Sequence, residues 1–498
     1  MNVNPITRLD YPDPDVIRVE DTYYMVSTTM HFMPGCEILQ SFDLVHWEHA
    51  TYVYETLDHT DAQQLKSGQN IYGQGMWAAS LRYHEGRFYI CFVANDTRKT
   101  YLYTSEKIDG PWKKQLIEGF YHDGSLLFDE DGRNYIVYGN DEIWITELNE
   151  DLTAPKKDGL NRLLVSDHKN PKLGYEGSHI QKINGYYYIF LIHSLRDRWM
   201  RTEACFYSDS LEGEFTGGDV LCDDRGYCGQ GVAQGGIVDT PDGKWYAMLF
   251  QDSGAVGRLP ILLPVTWKDH FPVFGQNGHV PEEIEVHSTR PGYIYQPLVG
   301  SDDFCNGLLP RWQFNHDPDP QYYHLDALQG TYTITTREVC TELTQAVNTL
   351  TQRMSYPSCA AEVTVDASAL KEGDVAGLCA LQGCYAAVGI TKHHGKYEVL
   401  MLDKKEDGIL DMTEGTVVES HQMDFRLEAD FCNMKDEARC YYRVNKGDWL
   451  PIGTVHKLYF KLDHFTGCRF GLFCYAAEET GGSACFRDFK YYDVDEIS

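Results

Sequence analysis

The chain is poor in basic residues. Its 498 residues contain 43 Lys and Arg against 74 Asp and Glu, which gives a formal charge of -31 at pH 7. Nucleic acids and anionic membrane surfaces are bound through basic patches, so the composition argues against both as partners. Neutral ligands such as sugars stay open.

Long apolar runs and paired cysteine motifs are also missing. No stretch of about 18 apolar residues occurs, so we expect no membrane span. The start, MNVNPITRLDYPDPD, has neither the basic residues nor the apolar stretch of a secretory signal. The 15 cysteines are odd in number, form no CxxC pair and often lie in strand-like runs such as FYICFVA. Buried reduced thiols and a cytoplasmic protein fit this pattern best.

Helical periodicity is scarce, and a hairpin pattern recurs instead. An aliphatic strand, a polar turn and an aromatic strand repeat five times, at spacings typical of propeller blades or slightly longer. The residues that begin the five copies are Asp13, Trp77, Asp123, Glu176 and Gln234. The turn residues nine places later are Thr22, Gly86, Gly132, Gly185 and Gly243. Such turns, several with Asp-Gly or Asn-Gly, are strong hairpin signals.

These repeats predict an all-β chain whose residues 1–298 form a five-bladed β-propeller. A β-sandwich is the rival for short strands, but the constant register favours radial repetition. A Pro- and Gly-rich segment follows, and new alternating strands such as AAEVTVDA and KLYFKLD begin after it. We therefore expect an antiparallel β-sandwich over residues 299–498.

Three of the five starting residues are carboxylates. If the repeats are equivalent, Asp13, Asp123 and Glu176 converge on the propeller axis. Each alone is explained by a turn or a solvated loop, but like charges at one place destabilise a fold unless they are used. Two chemistries need such a group: a divalent cation site, and glycoside hydrolysis with one acid and one base. Trp77 favours hydrolysis, since an aromatic ring packs on the apolar face of a sugar.

Several runs resemble family 43 glycoside hydrolases. They are YPDPDVIRVEDTYYMVSTT, GMWAASLRYHEGRFYI, HDGSLLFDEDGRNYIVYG, YEGSHIQKINGYYYIFLI and TPDGKWYAMLF. The second block, with WQFNHDPD and FTGCRFGLFCYAAEETGG, resembles the concanavalin-like sandwich of the β-xylosidase branch. The resemblance implies a five-bladed propeller and an inverting mechanism on terminal xylosyl or arabinofuranosyl residues.

The resemblance also implies roles for the three carboxylates. Asp13 looks like the general base, with Asp15 as the alternative that the register disfavours. Asp123 looks like the carboxylate that modulates the pKa of the acid and orients it. Glu176, in EGSH, looks like the general acid. An inverting mechanism predicts that the carboxyls of base and acid lie about 6.5–9.5 Å apart.

Further candidates surround these carboxylates. Arg258 matches an arginine at the base of the family's pocket, and a guanidinium there pairs with a carboxylate or a sugar hydroxyl. Trp77, Gln234, His31 and Phe32 complete the predicted substrate-binding set. His179 and His193 lie near the motifs too, although a structural histidine is the commoner reading for them and for His31.

No cofactor is expected to be required. Related enzymes often have His where this chain has Gln234, and that His can bind calcium or another ion on the axis. Gln is a weaker, neutral ligand, so a structural calcium stays open.

The function predicted from the sequence is an exo-acting, inverting β-D-xylosidase that takes imported xylo-oligosaccharides. An α-L-arabinofuranosidase or an enzyme with both activities is the alternative. A carbohydrate-binding propeller without catalysis and a purely structural interaction propeller are the rivals from other classes. The sandwich covers one propeller face, binds glycans or lends a loop that closes the pocket, as in similar enzymes. The oligomeric state, a homo-oligomer included, stays open.

Overall fold

A computed structural model describes residues 3–413 and 415–493, and the predicted domain ranges extend slightly beyond them at both ends. Strands dominate this part of the chain, as the sequence predicts. Its helices are single three-residue 3-10 turns at Lys66–Gly68, Gly254–Val256, Leu343–Gln345 and Cys432–Met434. None of them is long or apolar enough to cross a membrane.

Five four-stranded antiparallel sheets form the first part of the chain. The first comprises β1 (Asp15–Val19), β2 (Thr22–Ser27), β4 (Gly35–Ser41) and β5 (Glu48–Tyr54), while β3 (Phe32–Met33) pairs elsewhere. The second comprises β6 (Ser80–His84), β7 (Arg87–Ala94), β8 (Lys99–Ser105) and β9 (Lys113–Ile117). The third comprises β10 (Ser125–Phe128), β11 (Asn134–Asn140), β12 (Glu142–Leu148) and β13 (Asn161–Ser166). The fourth comprises β14 (Glu176–Ile183), β15 (Tyr186–Ser194), β16 (Arg201–Ser208) and β17 (Thr216–Leu221). The fifth comprises β18 (Val232–Asp239), β19 (Trp245–Asp252), β20 (Arg258–Lys268) and β21 (Phe271–Phe274).

The innermost strands β1, β6, β10, β14 and β18 contact one another in a closed ring. Side chains at one level of this ring bond to the next blade. Asp15 accepts the Leu81 N–H over 2.7 Å, and the Ser80 hydroxyl accepts that of Leu126 over 3.1 Å. The predicted five-bladed β-propeller is confirmed, and a single sandwich for this region is wrong.

The blades match the predicted register except for a shift of one residue. Asp15 and Ser80 are equivalent, since each bonds in the same way to the following blade. The residue two places before Asp15 is Asp13. The residue two places before Ser80 is Ala78, so Ala78 rather than Trp77 is the equivalent of Asp13 in the second blade. The same position in blades 1, 3, 4 and 5 has left-handed backbone, with φ of 53°, 48°, 64° and 61° at Asp13, Asp123, Gly177 and Gln234.

Trp77 and Glu176 therefore lie one residue earlier than Asp13 and Asp123. Strand pairing is irregular in the fourth blade between Glu176 and His179 and in the fifth between Ala233 and Gly236. An extra residue of this kind leaves the spacing of hydrophobic side chains nearly unchanged, so the sequence pattern does not reveal it.

Two large sheets form the second part of the chain. The nine-stranded sheet comprises β3, β22 (Gln313–Asn315), β25 (Leu350–Arg353), β35 (Arg469–Tyr475), β27 (Val375–Leu381), β28 (Ala386–His393), β29 (Lys396–Lys404), β30 (Leu410–Met412) and β31 (Thr416–Val418). The seven-stranded sheet comprises β23 (Tyr323–Asp326), β24 (Thr331–Thr335), β36 (Ser483–Asp493), β26 (Ser358–Asp366), β32 (Gln422–Asp430), β33 (Glu437–Arg443) and β34 (Leu450–Lys457). Their facing apolar side chains share one core, which confirms the predicted sandwich.

The two parts are joined by strand pairing as well as by packing. β3, from the first blade, is the edge strand of the nine-stranded sheet and pairs with β22. Buried Arg353 of the sandwich bonds to Glu37 of the first blade over 2.8 Å and to the Tyr11 hydroxyl over 3.1 Å. A division near residue 298 stays a prediction, but the contact across it is extensive.

Candidate active site

Asp13 lies at one side of the axial pocket, held by two partners. It stands between two prolines just before β1, and its left-handed backbone is strained for a residue with a Cβ. The Thr28 hydroxyl donates to Oδ2 over 2.7 Å, and Arg258 Nη1 lies 3.1 Å from Oδ1. Arg258 is itself only 2% exposed. The pair fixes one carboxylate with its negative charge balanced.

Asp15, the alternative base, has a structural task instead. It is buried and bonds to Arg82 over 2.8 Å, to the Leu81 N–H over 2.7 Å and to the His179 ring over 3.1 Å. Burial would raise the pKa of Asp15, but Arg82 and His179 outweigh it and lower that pKa to about 2. Every described partner of Asp15 ties one blade to another, which is a structural task, and Asp13 as the base stays a prediction.

Asp123 in the third blade and Glu176 in the fourth lie close together, with carboxylate oxygens within 4.8 Å of each other. The Gly177 N–H donates to Asp123 Oδ2 over 2.9 Å, so the residue after Glu176 is tied to Asp123. Asn140, at the end of β11, donates to Glu176 Oε2 over 2.8 Å. His122 Nε2 lies 3.5 Å from Asp123 Oδ2 and 3.6 Å from Glu176 Oε2. The imidazole thus stands between the two carboxylates.

The surroundings of Asp123 and His122 raise the pKa of both side chains. Burial raises the pKa of Asp123 to about 6; the charge of His122 opposes the shift, while Glu176 and Asp13 add to it. Asp123 raises the pKa of His122 to about 9, against the effect of burial and with help from Glu176 and Asp13. At neutral pH the group therefore holds a cationic imidazole beside an ionised Asp123.

Gln234 lies next to this group on the fifth blade. A side chain at Gly177 would meet Gln234 Cδ at 2.7 Å, so the glycine is needed for the close approach. The backbone N–H of Gln234 donates over 2.7 Å to Glu203, a fully buried carboxyl whose Oε1 has no hydrogen-bond partner among the described residues. Burial holds the pKa of Glu203 well above its usual range, so it is a neutral acid.

Aromatic rings close the pocket, and one of them belongs to the sandwich. Phe465 lies 4.2 Å from the Arg258 guanidinium and 5.6 Å from the Trp77 ring, and its carbonyl accepts from Arg258 Nη2 over 3.3 Å. Trp77 also lies 6.0 Å from the His122 ring. The sandwich thus contributes Phe465 beside Arg258 and Trp77, and a loop that closes the pocket stays a prediction.

Metal binding was a competing reading of the carboxylates. Among the residues that the structure describes, one group of three has ligand atoms within 4.8 Å of one another, namely His122, Asp123 and Glu176. A protonated imidazole has no lone pair to give, so this group does not fit a divalent cation while His122 keeps its proton. Gln234 and the neutral Glu203 beside it offer weak oxygen ligands for an axial ion.

Two predicted substrate-binding residues, His31 and Phe32, pack against the sandwich. Phe32, in β3, is buried and packs against Arg469, whose guanidinium lies 3.5 Å from the ring. His31 is fully buried among His316, Tyr72 and His464. Both belong to the contact between propeller and sandwich, because β3 leaves its own blade to join the sandwich sheet. His31 contacts His464, which directly precedes Phe465, and the role of His31 and Phe32 in substrate binding stays a prediction.

His179 and His193 have structural partners. His179 bonds to Asp15, as described above, and His193 Nε2 lies 2.7 Å from Asp219. The sequence reasoning, in turn, did not single out His122, Asn140 or Phe465. His122 was detectable, since it directly precedes Asp123 in YHDG. Nothing local marks Asn140, and Phe465 is brought from far along the chain.

Known proteins share this architecture over nearly the whole chain. Residues 3–272 match the profile of glycosyl hydrolases family 43, and residues 301–492 match the beta xylosidase C-terminal concanavalin A-like domain. A beta-xylosidase of Formosa agariphila is 26% identical over 99% of this chain and 89% of its own length.

Solved structures agree. A bifunctional GH43-CE protein of Bacteroides eggerthii is 42% identical with a TM-score of 0.92, over 99% of this chain and 64% of its own, so the present chain spans about two thirds of that protein. A family 43 enzyme engineered to display both endo-xylanase and exo-arabinofuranosidase activity is 27% identical with a TM-score of 0.86, over 99% of both chains. With the carboxylates arranged as above, the chain belongs to family 43 of the glycosyl hydrolases and is an enzyme that cleaves O-glycosyl bonds.

Proposed function

We propose that this enzyme is an exo-acting, inverting β-D-xylosidase that removes terminal xylosyl units from short xylo-oligosaccharides. The observation that supports the proposal is that Asp13 is held by Arg258 while Glu176 is held by Asn140. Separate partners give the two carboxyls separate tasks, as acid and base need.

The reaction follows from that placement. Asp13 accepts a proton from a water molecule, whose oxygen forms a bond to the anomeric carbon as the bond to the leaving oxygen breaks. Glu176 delivers its proton to that leaving oxygen from the other side of the sugar. The cycle ends when Asp13 loses a proton to solvent and Glu176 regains one.

Groups around the pocket support binding of one sugar unit. Trp77 offers a half-buried ring that can pack on the apolar face of a sugar. Phe465 walls the pocket from the sandwich side, next to Arg258. A second domain that borders the site through Phe465 suits the end of a sugar chain better than its middle, which supports exo action.

Kinetics on 4-nitrophenyl β-D-xylopyranoside and on xylobiose test the proposal. We expect turnover of both, and Asp13→Asn and Glu176→Gln each to lower kcat by about 10³-fold or more. ¹H NMR of the first product should show the anomer opposite to that of the substrate. Retention of the anomeric configuration would contradict inversion, and full turnover by both variants would favour a carbohydrate-binding propeller without catalysis.

An α-L-arabinofuranosidase is the second candidate, favoured by the exo-arabinofuranosidase activity named for the engineered structural relative. The two activities differ in how the pocket receives a pyranose or a furanose. Parallel kcat/KM values on 4-nitrophenyl xyloside and 4-nitrophenyl α-L-arabinofuranoside separate them, and comparable values would mean that one site serves both.

We also propose that the chemistry needs no cofactor, that the substrate is a small oligosaccharide rather than nucleic acid or membrane, and that the enzyme works in the cytoplasm on imported material. The neutral surroundings of Gln234 support the first point. Activity should be unchanged after dialysis against a chelator, and loss of activity that calcium restores would contradict it.

A further inference from the structure

We propose that His122 is a positioning residue of the reaction, whose cationic imidazole stands between Asp123 and Glu176 and sets the pH range over which Glu176 keeps the proton it donates. The inference rests on the proposed role of Glu176 as the acid. It adds a residue that neither the sequence reasoning nor the similar proteins' names assign.

The position of the ring supports this role. His122 Nε2 faces Asp123 Oδ2 at 3.5 Å and Glu176 Oε2 at 3.6 Å. The atom is buried and has no hydrogen-bond partner among the described residues. A lone pair aimed at two carboxylate oxygens would be repelled, so Nε2 carries a proton that either oxygen can accept after a small shift. The His122 carbonyl accepts the Gly139 N–H over 3.0 Å, which holds the main chain in place.

The register explains why a side chain here reaches the pocket. His122 directly precedes the left-handed residue Asp123, just as Glu176 directly precedes Gly177. Trp77 has the corresponding place in the second blade. Three consecutive blades therefore present Trp77, His122 and Glu176 at one level of the ring, and His122 is the middle member.

The charged groups around His122 determine how its imidazole affects the proton on Glu176. The titratable groups that face it are Asp123, Glu176 and Asp13, while Asn140 and the Gly177 N–H are neutral donors. The other cation, Arg258, is paired with Asp13. Two cations balance Asp13 and Asp123, so the pocket is neutral when Glu176 holds its proton. Without His122 the pocket would carry a net negative charge and hold that proton to higher pH.

The test compares pH profiles of kcat/KM for the wild type, His122→Phe and His122→Gln on the better nitrophenyl pentoside. Phe keeps a ring without charge, and Gln keeps a donor without charge. We expect the high-pH limb to move up by about one unit in both variants, since an opposite charge within about 4–6 Å shifts a proton affinity by one unit or more. His324→Phe, at an exposed position in β23, is the matched control and should keep the wild-type profile.

Profiles that coincide for all four proteins would overturn the proposal. A shift in His122→Phe alone would overturn it as well, because hydrogen bonding rather than charge would then be responsible. ¹⁵N NMR of the imidazole, assigned by its loss in His122→Phe, gives a readout without substrate: the ring should stay protonated at pH 7, and a ring that is deprotonated at pH 7 would contradict the inference. A wild type inactive on both pentosides would instead refute the proposed function, and the NMR result would still decide the state of His122.

Discussion

The backbone N–H of Gly177 donates to Asp123 Oδ2 over 2.9 Å, so the chain beside the proposed acid is held by the carboxylate of the preceding blade. The contact combines an orienting hydrogen bond with a negative charge, and the two can be separated by substitution.

Asp123→Asn keeps an oxygen that accepts the Gly177 N–H but removes the charge, whereas Asp123→Ala removes both. We expect kcat to fall by about 10²-fold in Asp123→Asn and further in Asp123→Ala, within the usual range for acid–base assistance. Steady-state kinetics on one pentoside measure both values, with circular dichroism as the check of folding. Equal losses in the two variants would show that the hydrogen bond contributes nothing beyond the charge.

Phe465→Ala tests the contribution of the sandwich to the pocket. The substitution removes a ring 4.2 Å from the Arg258 guanidinium and 5.6 Å from Trp77. Exposed cation–π contacts contribute about 0.5–1 kcal/mol and desolvated ones about 2, so we expect kcat/KM to fall by about tenfold. Leu462→Ala, at a side chain 74% exposed in the same segment, is the control. An unchanged kcat/KM in Phe465→Ala would place the substrate away from the sandwich.

Glu203→Gln tests the neutral acid behind Gln234. The pKa of Glu203 is raised in the folded protein, and the unfolded chain ionises above about pH 4.3. Between those values the folded state holds one more proton, so this carboxyl lowers the free energy of unfolding as the pH rises. Gln cannot ionise and has nearly the same shape. We expect the variant to be more stable than the wild type in urea at pH 7.5 and equal to it near pH 4; lower stability at pH 7.5 would mean an ionised carboxylate with a partner.

The buried histidines between propeller and sandwich predict loss of stability in acid. Burial lowers the pKa of His31, His316 and His464, the last to about 4. These rings are neutral in the folded state but bind protons in the unfolded chain below about pH 6.5. Their contribution is therefore complete above that value and is lost as the pH falls from about 6.5 to about 4.

His31→Phe isolates one of these rings, since both of its nitrogens lack a hydrogen-bond partner among the described residues. We expect the melting temperature of the variant, relative to that of the wild type, to be higher at pH 5 than at pH 8. His324→Gln, an exposed control, should show no such difference. A constant difference across this range would mean that His31 does not titrate on unfolding.

The architecture was predictable because turn residues and hydrophobic alternation are local. The turns at Gly86 and Gly185 lie between strands that pair as expected, and the spacing of the repeats predicted the blade number. The site was predictable only in part. The pairing irregularity after Glu176 is invisible in the pattern, and Phe465 reaches Arg258 from a position 207 residues away. No local signal shows that β3 leaves its blade, so the contacts of His31 and Phe32 with the sandwich could not be predicted, and their role in substrate binding stays a prediction.

Because β3 pairs with a strand of the sandwich, the propeller and the sandwich cannot be separated without exposing β3. A truncation after residue 298 would remove the partner of β3, leave Glu37 without Arg353 and open the wall that Phe465 supplies. The propeller would then expose an unpaired strand beside a buried carboxylate. Exchanging propellers and sandwiches between relatives would meet the same obstacle unless β3, Glu37 and their partners are exchanged together.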